Sequence, residues 1–404
     1  MSRKATVAPG VVLKSIAKVI TQPWMLKSLA GLEKDKLFFD WVNRKPEEGG
    51  AGAIRQLSIR ITDRCNLRCH TCGQWGDTGF LHGEKISELR ERELPPGRYI
   101  ELLDDLAAHG HRPTVYLWGG EPMLYRGTLD ILEHATKLSM PTMIATNGTG
   151  LKGAAERLTA MPMFLLQVSI DGHNAEAHNI ARPAAGAGDN FRDVREGLAA
   201  IQEEKARQGR KMPMVAALTT ISTANAQHLV DIYETFRDKV DVFVFYLSWW
   251  IDDKGAKAHD EDFSRRFGFT PKLHWSWRGE WVNRDFDALA EQLGELERRS
   301  ASPFAPAVNI LPRITDRDSL RRYYTDHSAT FGFDRCISIF RAVELDSNGD
   351  MSPCRDYHDY IVGNVRESTI TELWNNSAYR TFRSSLARDG LMPVCSRCCG
   401  LMGY

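Results

Sequence analysis

Short apolar runs alternate with longer stretches of helical periodicity through the middle of this chain. Residues 56–62, 114–118, 142–145, 164–170, 214–220 and 242–247 read as strands, and the first places Leu57, Ile59 and Ile61 on one face. Between them, stretches such as 98–109 and 191–209 are charged, with apolar positions at helical spacing. Strand–helix alternation of this kind predicts an α/β fold with a parallel sheet and crossover helices. In such folds ligands collect at the carboxyl ends of the strands, which is where candidate chemistry is to be sought.

The flanks follow other patterns. Near the start, Val12, Leu13, Ile16, Val19 and Ile20 recur at helical spacing around Lys14 and Lys18, and Pro23 breaks or restarts the helix. A basic amphipathic helix of this kind caps a domain or touches a membrane surface, and the cap is the commoner outcome. Glu47-Glu48-Gly49-Gly50-Ala51-Gly52 then reads as a flexible link. Near the far end, apolar positions flank Asn348-Gly349, a strong hairpin signal. Residues 1–52 are therefore expected to be a helical extension, 53–305 the strand–helix core and 306–404 a smaller C-terminal domain.

Charge and composition narrow the function. With 52 basic and 52 acidic residues the chain has no electrostatic footprint for nucleic acid. No apolar run reaches spanning length and no secretory signal is recognisable, so a cytoplasmic protein is expected. The eight cysteines fall into two groups with none between Cys72 and Cys336, a distribution that suits metal ligation better than disulfides.

The first group, Cys65, Cys69 and Cys72, follows the first strand directly. Three thiolates in one loop can hold three irons of a [4Fe–4S] cluster and leave the fourth open. Zinc takes four ligands, usually in Cys-x2–4-Cys pairs, and fits this loop poorly. Gly119-Gly120-Glu121-Pro122 follows the second strand, where glycines permit close backbone approach and a carboxylate can accept from an ammonium group. Thr146-Asn147-Gly148 ends the third strand, and Ser169-Ile170-Asp171-Gly172 the fourth, with Arg182 in the loop beyond. After the sixth strand, Tyr246, Trp249, Trp250, His274, Trp275, Trp277 and Trp281 make an aromatic-rich region that serves as a substrate wall or as interdomain packing. His274 and Tyr246 are the candidate proton carriers there.

Cys65-x3-Cys69-x2-Cys72 resembles the signature of the radical S-adenosylmethionine (SAM) superfamily, with Thr71 where that family usually has a bulky residue. The resemblance implies a partial (β/α)6 TIM-like barrel. It also implies a cluster whose open iron chelates SAM and reductively cleaves it to a 5′-deoxyadenosyl radical, which abstracts hydrogen from substrate. Gly119, Gly120, Glu121 and Pro122 match the family's GGEP motif for the SAM amino group. Asn147, Ser169, Asp171 and Arg182 match positions near the rest of that cofactor. The C-terminal segment resembles a SPASM/twitch extension, from Cys336-x17-Cys354, Gly363-Asn364-Val365 and Leu373-Trp374-Asn375 to Cys395-x2-Cys398. That likeness implies one auxiliary [4Fe–4S] cluster on Cys336, Cys354, Cys395 and Cys398, used in electron transfer, with Cys399 surplus or standing in for Cys398. Structural zinc on the same cysteines is the alternative.

The expected function is hydrogen abstraction from a small molecule such as a sugar or cyclitol, in an oxidation of dehydrogenase type. A flavodoxin or ferredoxin would supply electrons. Peptide maturation of the RiPP type and lipid modification are the alternatives. A non-catalytic metal-binding scaffold is the competing class, and the intact cysteine loop together with Glu121 argues against it.

Overall fold

The six expected strands form in chain order as β1 (Gln56–Thr62), β2 (Thr114–Gly119), β3 (Thr142–Thr146), β4 (Leu165–Ser169), β5 (Met214–Ile221) and β6 (Val242–Leu247). This computed structural model describes residues 23–37, 46–279 and 281–402. Each of these strands pairs in parallel with the next. β7 (Ala307–Leu311) adds in parallel to β6. β8 (Ala342–Leu345) adds in parallel to β1 at the other side, and β9 (Asp350–Ser352) and β10 (Gly363–Asn364) continue from it antiparallel. The result is one open sheet of ten strands, ordered β10-β9-β8-β1-β2-β3-β4-β5-β6-β7. The partial α/β barrel is thus present and unclosed. Chain beyond residue 305 supplies strands at both of its edges.

Side-chain alternation explains how the strands are held. Leu57, Ile59 and Ile61 are almost wholly buried with Leu102, Leu103 and Leu106 of the helix Pro96–Ala108, each worth about 1.5–3 kcal/mol of transfer free energy. The alternate residues Ser58, Arg60 and Thr62 are also buried, but polar. A second apolar cluster joins Met214, Ala216, Val242, Val244, Ala307 and Leu311 of β5–β7 to Met25 of the helix Pro23–Leu37. That helix begins at Pro23, where a proline costs no hydrogen bond. The apolar stripe from Val12 to Ile20 lies outside the described residues. No described helix is long and apolar enough to cross a membrane.

The hairpin expected at Asn348-Gly349 joins β8 to β9. Gly349 takes φ +95°, which a side chain would strain. Because β8 pairs with β1, this hairpin brings the exit of β9, and hence Cys354, alongside the strand that leads into the first cysteine loop.

Candidate active site

The carboxyl ends of β1–β4 surround a cavity of about 280 Å³. Cys65, Cys69, Cys72, Gly119, Gly120, Asn147, Ser169 and Arg182 all border it, so most of the strand-end residues singled out in the sequence converge on one space. Tight backbone packing sets the cysteine loop. Cys72 N donates to Cys69 O at 3.1 Å and Gly76 N to Cys72 O at 2.9 Å. Burial pushes the Cys65 thiol up to about 11 and the Cys69 thiol up to about 12. These are neutral thiols until a metal takes them as thiolates, with release of protons.

The glycine pair at the end of β2 does a job the sequence did not specify. A Cβ on Gly119 would lie 2.4 Å from Thr62 O, and one on Gly120 would lie 2.1 Å from Arg64 O. The close approach is therefore to the chain's own backbone just ahead of Cys65. Gly120 N and Glu121 N donate to Thr62 O and Arg64 O, both at 2.8 Å, and lock the turn to the cysteine loop.

Glu121 is wholly buried and does not border the cavity. Its Oε1 accepts from Thr146 Oγ1 at 2.6 Å and Met123 N at 3.0 Å, and its Oε2 accepts from Asn147 N at 2.6 Å. Burial raises this carboxyl's pKa, against the pull of those bonds. The carboxylate is thus engaged in aligning the end of β3, while Gly119 and Gly120 face the cavity. Pro122 is buried at the start of the next turn. Asp171 likewise stands behind the wall: its Oδ2 accepts from Arg182 Nη1 at 2.7 Å and its Oδ1 from Thr220 N at 2.8 Å. It is Arg182 that borders the cavity.

The aromatic region divides in two. Trp249, Trp277 and Trp281 border the cavity, joined there by Trp75, Tyr116 and Trp118. Trp250 instead meets His327, with ring centroids 4.1 Å apart. Neither candidate proton carrier borders the cavity. His274 is buried against His259, and Tyr246 packs beside the Met25 cluster.

Other residues were missed in the sequence. Asn66 Oδ1 accepts from Asn147 Nδ2 at 2.8 Å, tying the cysteine loop to β3. Arg60 and His358 also line the cavity, with His358 Nε2 2.9 Å from Arg60 Nη1. Arginine has no acceptor, so this ring nitrogen accepts and the proton sits on Nδ1. Arg60 is held between Asp63 at 2.9 Å and Asp346 at 3.0 Å, and burial pushes the Asp346 carboxyl up to about 7. The available signal was the buried polar alternation Ser58, Arg60, Thr62 within an otherwise apolar strand.

The second cysteine group gathers on the far side of this wall. Cys336, Cys354, Cys398 and Cys399 border a small cavity of about 20 Å³. Cys395 is buried but does not border it. Cys399, Arg355 and Asp356 border both cavities. Asp356 Oδ2 lies 3.4 Å from Cys398 Sγ and 3.1 Å from Cys399 Sγ. Several soft sulfur donors around a small cavity fit an iron–sulfur cluster, and the three-thiol loop beside the larger cavity fits a cluster with one iron left for a ligand.

Comparison with known proteins agrees with this division. Residues 59–236 match the model of the radical SAM superfamily, and residues 336–399 match an iron–sulfur cluster-binding domain, SPASM. The AdoMet-dependent heme synthase of Methanosarcina barkeri is 25% identical over 349 residues, covering 85% of this chain and 88% of that protein. The pre-heme d1 synthase of Dinoroseobacter shibae is 26% identical, covering 78% of this chain and 71% of that protein. Among solved structures, Streptococcus suis SuiB bound to S-adenosylmethionine superposes with a TM-score of 0.57 at 16% identity, covering 82% of this chain and 68% of that one. Native anSMEcpe with bound AdoMet and the Cp18Cys peptide gives 0.55 at 18% identity, covering 87% and 88%. These last two likenesses are of fold. The two matched domains imply a SAM-binding [4Fe–4S] cluster and auxiliary clustering in the C-terminal segment. The chain belongs to the radical SAM superfamily and carries a C-terminal SPASM domain.

Proposed function

We propose that this enzyme abstracts hydrogen from a flat, ring-shaped small molecule with carboxylate side chains, of the tetrapyrrole class, and that the net reaction is an oxidation. The observation that carries the reading is the wall shared by the two cavities: Cys399, Arg355 and Asp356 stand between the three-cysteine loop and the second thiol group. A substrate seated there lies beside both. When bound, the first cluster and SAM supply one-electron cleavage to a 5′-deoxyadenosyl radical that takes hydrogen from carbon.

The chain's own residues do the rest. Cys65, Cys69 and Cys72 hold the first cluster. Gly119, Gly120, Asn147, Ser169 and Arg182 bound the space for SAM, with Glu121, Pro122 and Asp171 fixing their positions. Tyr116, Trp118, Trp249 and Trp277 offer flat faces that suit a ring and exclude water. Arg355 lies 5.2 Å over Tyr116 and is paired with Glu344 through Nε at 3.1 Å and Nη2 at 3.2 Å. This fixes a guanidinium at the cavity wall, where it would meet an anionic substituent. Cys336 and Cys354, with two of Cys395, Cys398 and Cys399, would hold one auxiliary cluster, which would supply an electron acceptor for an oxidation. A flavodoxin or ferredoxin is the proposed reductant, and the proposed location is the cytoplasm.

The tetrapyrrole class takes support from relatives that match along most of this chain and are heme and pre-heme d1 synthases. It replaces the sugar or cyclitol as the first candidate. The test is an anaerobic assay of reconstituted enzyme with SAM and dithionite, reading 5′-deoxyadenosine. Formation stimulated at least about tenfold by an iron tetrapyrrole such as Fe-coproporphyrin III, and not by cyclitols or peptides, is expected. Stimulation by a cyclitol or a peptide instead would overturn the substrate class. No 5′-deoxyadenosine from a fully loaded first cluster would overturn the enzyme reading itself.

A further inference from the structure

Apart from both cysteine groups, two loops bring His173, His228 and Asp231 together. His173 follows Asp171-Gly172 after β4, and His228 is the residue that caps the helix Leu229–Phe236 after β5. One potential ligand atom from each lies within 4.8 Å of the others. The two imidazole rings are 4.9 Å apart between centroids.

The hydrogen bonds set one tautomer. His228 Nδ1 donates to Asp231 Oδ2 at 2.9 Å. A divalent ion that replaces this proton would take Nδ1 and Oδ2 as neighbouring ligands, with the ring proton moved to Nε2 of the half-exposed imidazole. His173 Nδ1 is buried with no hydrogen-bond partner, an unsatisfied group that a metal ion would take. Its Nε2 meets Asn174 Nδ2 at 2.9 Å in an exposed contact, which solvent can replace when Nδ1 binds a metal and Nε2 takes the proton.

Both arms hang from one buried residue, through its side chain on one side and its backbone carbonyl on the other. Asn225 Nδ2 donates to Asp171 O at 3.2 Å and Thr220 O at 3.0 Å, while Asn225 O accepts from His228 N at 2.8 Å. Ligand atoms on tetrahedral zinc are about 3.3 Å apart, given Zn–N bonds of about 2.0–2.1 Å. The half-exposed side chains of His228 and Asp231 can close the remaining gap of about an ångström or more by rotation.

We infer that His173, His228 and Asp231 form a divalent transition-metal site of the zinc type on the rim of the sheet. Two imidazoles and one carboxylate with open positions make a borderline donor set suited to Zn²⁺. Binding would pin the loop that carries Asp171, the partner of Arg182.

Equilibrium dialysis of the anaerobic, iron-loaded enzyme against micromolar Zn²⁺ tests this, with zinc and iron counted together. One zinc per chain is expected beyond any associated with the cysteines. His228→Ala should weaken that zinc at least about tenfold with iron content unchanged, and His173→Gln should do the same. Zinc retained equally by both variants, or no zinc retained by the unmodified enzyme, overturns the site.

Discussion

The two cysteine groups are built by opposite routes. Cys65, Cys69 and Cys72 lie within one loop, and short-range backbone bonds between Cys69, Cys72 and Gly76 shape it. The second group is drawn from the chain before β8, the exit of β9 and the C-terminal turn Pro393–Arg397 with its continuation. Nothing local brings those three segments together. They meet because β8 pairs with β1 and because Arg397, wholly buried, donates to Tyr323 O, Ala329 O, Ser396 O and Asp326 O. The first site is specified by spacing and the second by tertiary structure, so they should fail under different perturbations.

The sharpest break is at the first group. Cys69→Ala should reduce SAM cleavage to background while about four irons remain on the second group. Anaerobic 5′-deoxyadenosine assay and iron analysis check it, and retention of cleavage would remove the three-cysteine loop from the chemistry. Cys336→Ala is the reciprocal change. Iron should fall from about eight to about four per chain, SAM cleavage should stay within a few-fold, and net substrate turnover should be lost. Loss of both activities together would mean that the groups do not work separately.

Arg397→Leu perturbs the second group without touching a thiol. It leaves three buried carbonyls and the part-buried one of Asp326 without their shared donor and removes a cation stacked 4.4 Å over Tyr323. A cost of about 1–3 kcal/mol follows for a buried acceptor left unpaired. The variant should lose its second cluster on mild heating while the first persists, followed by iron count and by the electron paramagnetic spectrum of the reduced enzyme. Equal loss from both groups would show that the two are one cooperative unit.

What could be read from sequence follows the same divide. β1–β6 were legible because each is a short apolar run bounded by turn residues, and β6 lies at its expected residues. β7 was not, because Pro306 and Pro312 bracket Ala307–Leu311 and punctuate it as a loop. Its apolar residues become a strand only against β6. Cysteine spacing exposed the first site. The direction of a side chain is set by packing, which is why Glu121 and Asp171 were identifiable as residues but their positions behind the cavity wall were not. Arg60 and His358 escaped for a related reason: they are 298 positions apart and meet only through the pairing of β8 with β1.

The smallest effect concerns acid, and it separates the two regions by charge and not by ligands. His259 belongs to the packing around the second group, with its ring 4.7 Å from that of His274 and 6.2 Å from that of Tyr357. It is wholly buried, both its nitrogens lack hydrogen-bond partners, and burial lowers its pKa to about 3. The unfolded chain takes up this proton near pH 6.5 and the folded one does not until about pH 3. Between those values the folded state binds fewer protons, so its contribution is complete above pH 6.5 and is lost as pH falls. From pH 7 to pH 5 the loss is about 2 kcal/mol, at 1.36 kcal/mol per pH unit below 6.5. His259→Leu removes the titrating group from an apolar neighbourhood of Phe263 and Tyr357. The variant should therefore lose about 2 kcal/mol less than the unmodified enzyme over that interval, measured as paired urea or thermal midpoints at the two pH values. Acid lability intrinsic to the clusters is common to both proteins and cancels in the difference. Parallel slopes would show that His259 is already paired or solvated, and that the second region owes its acid sensitivity to other groups.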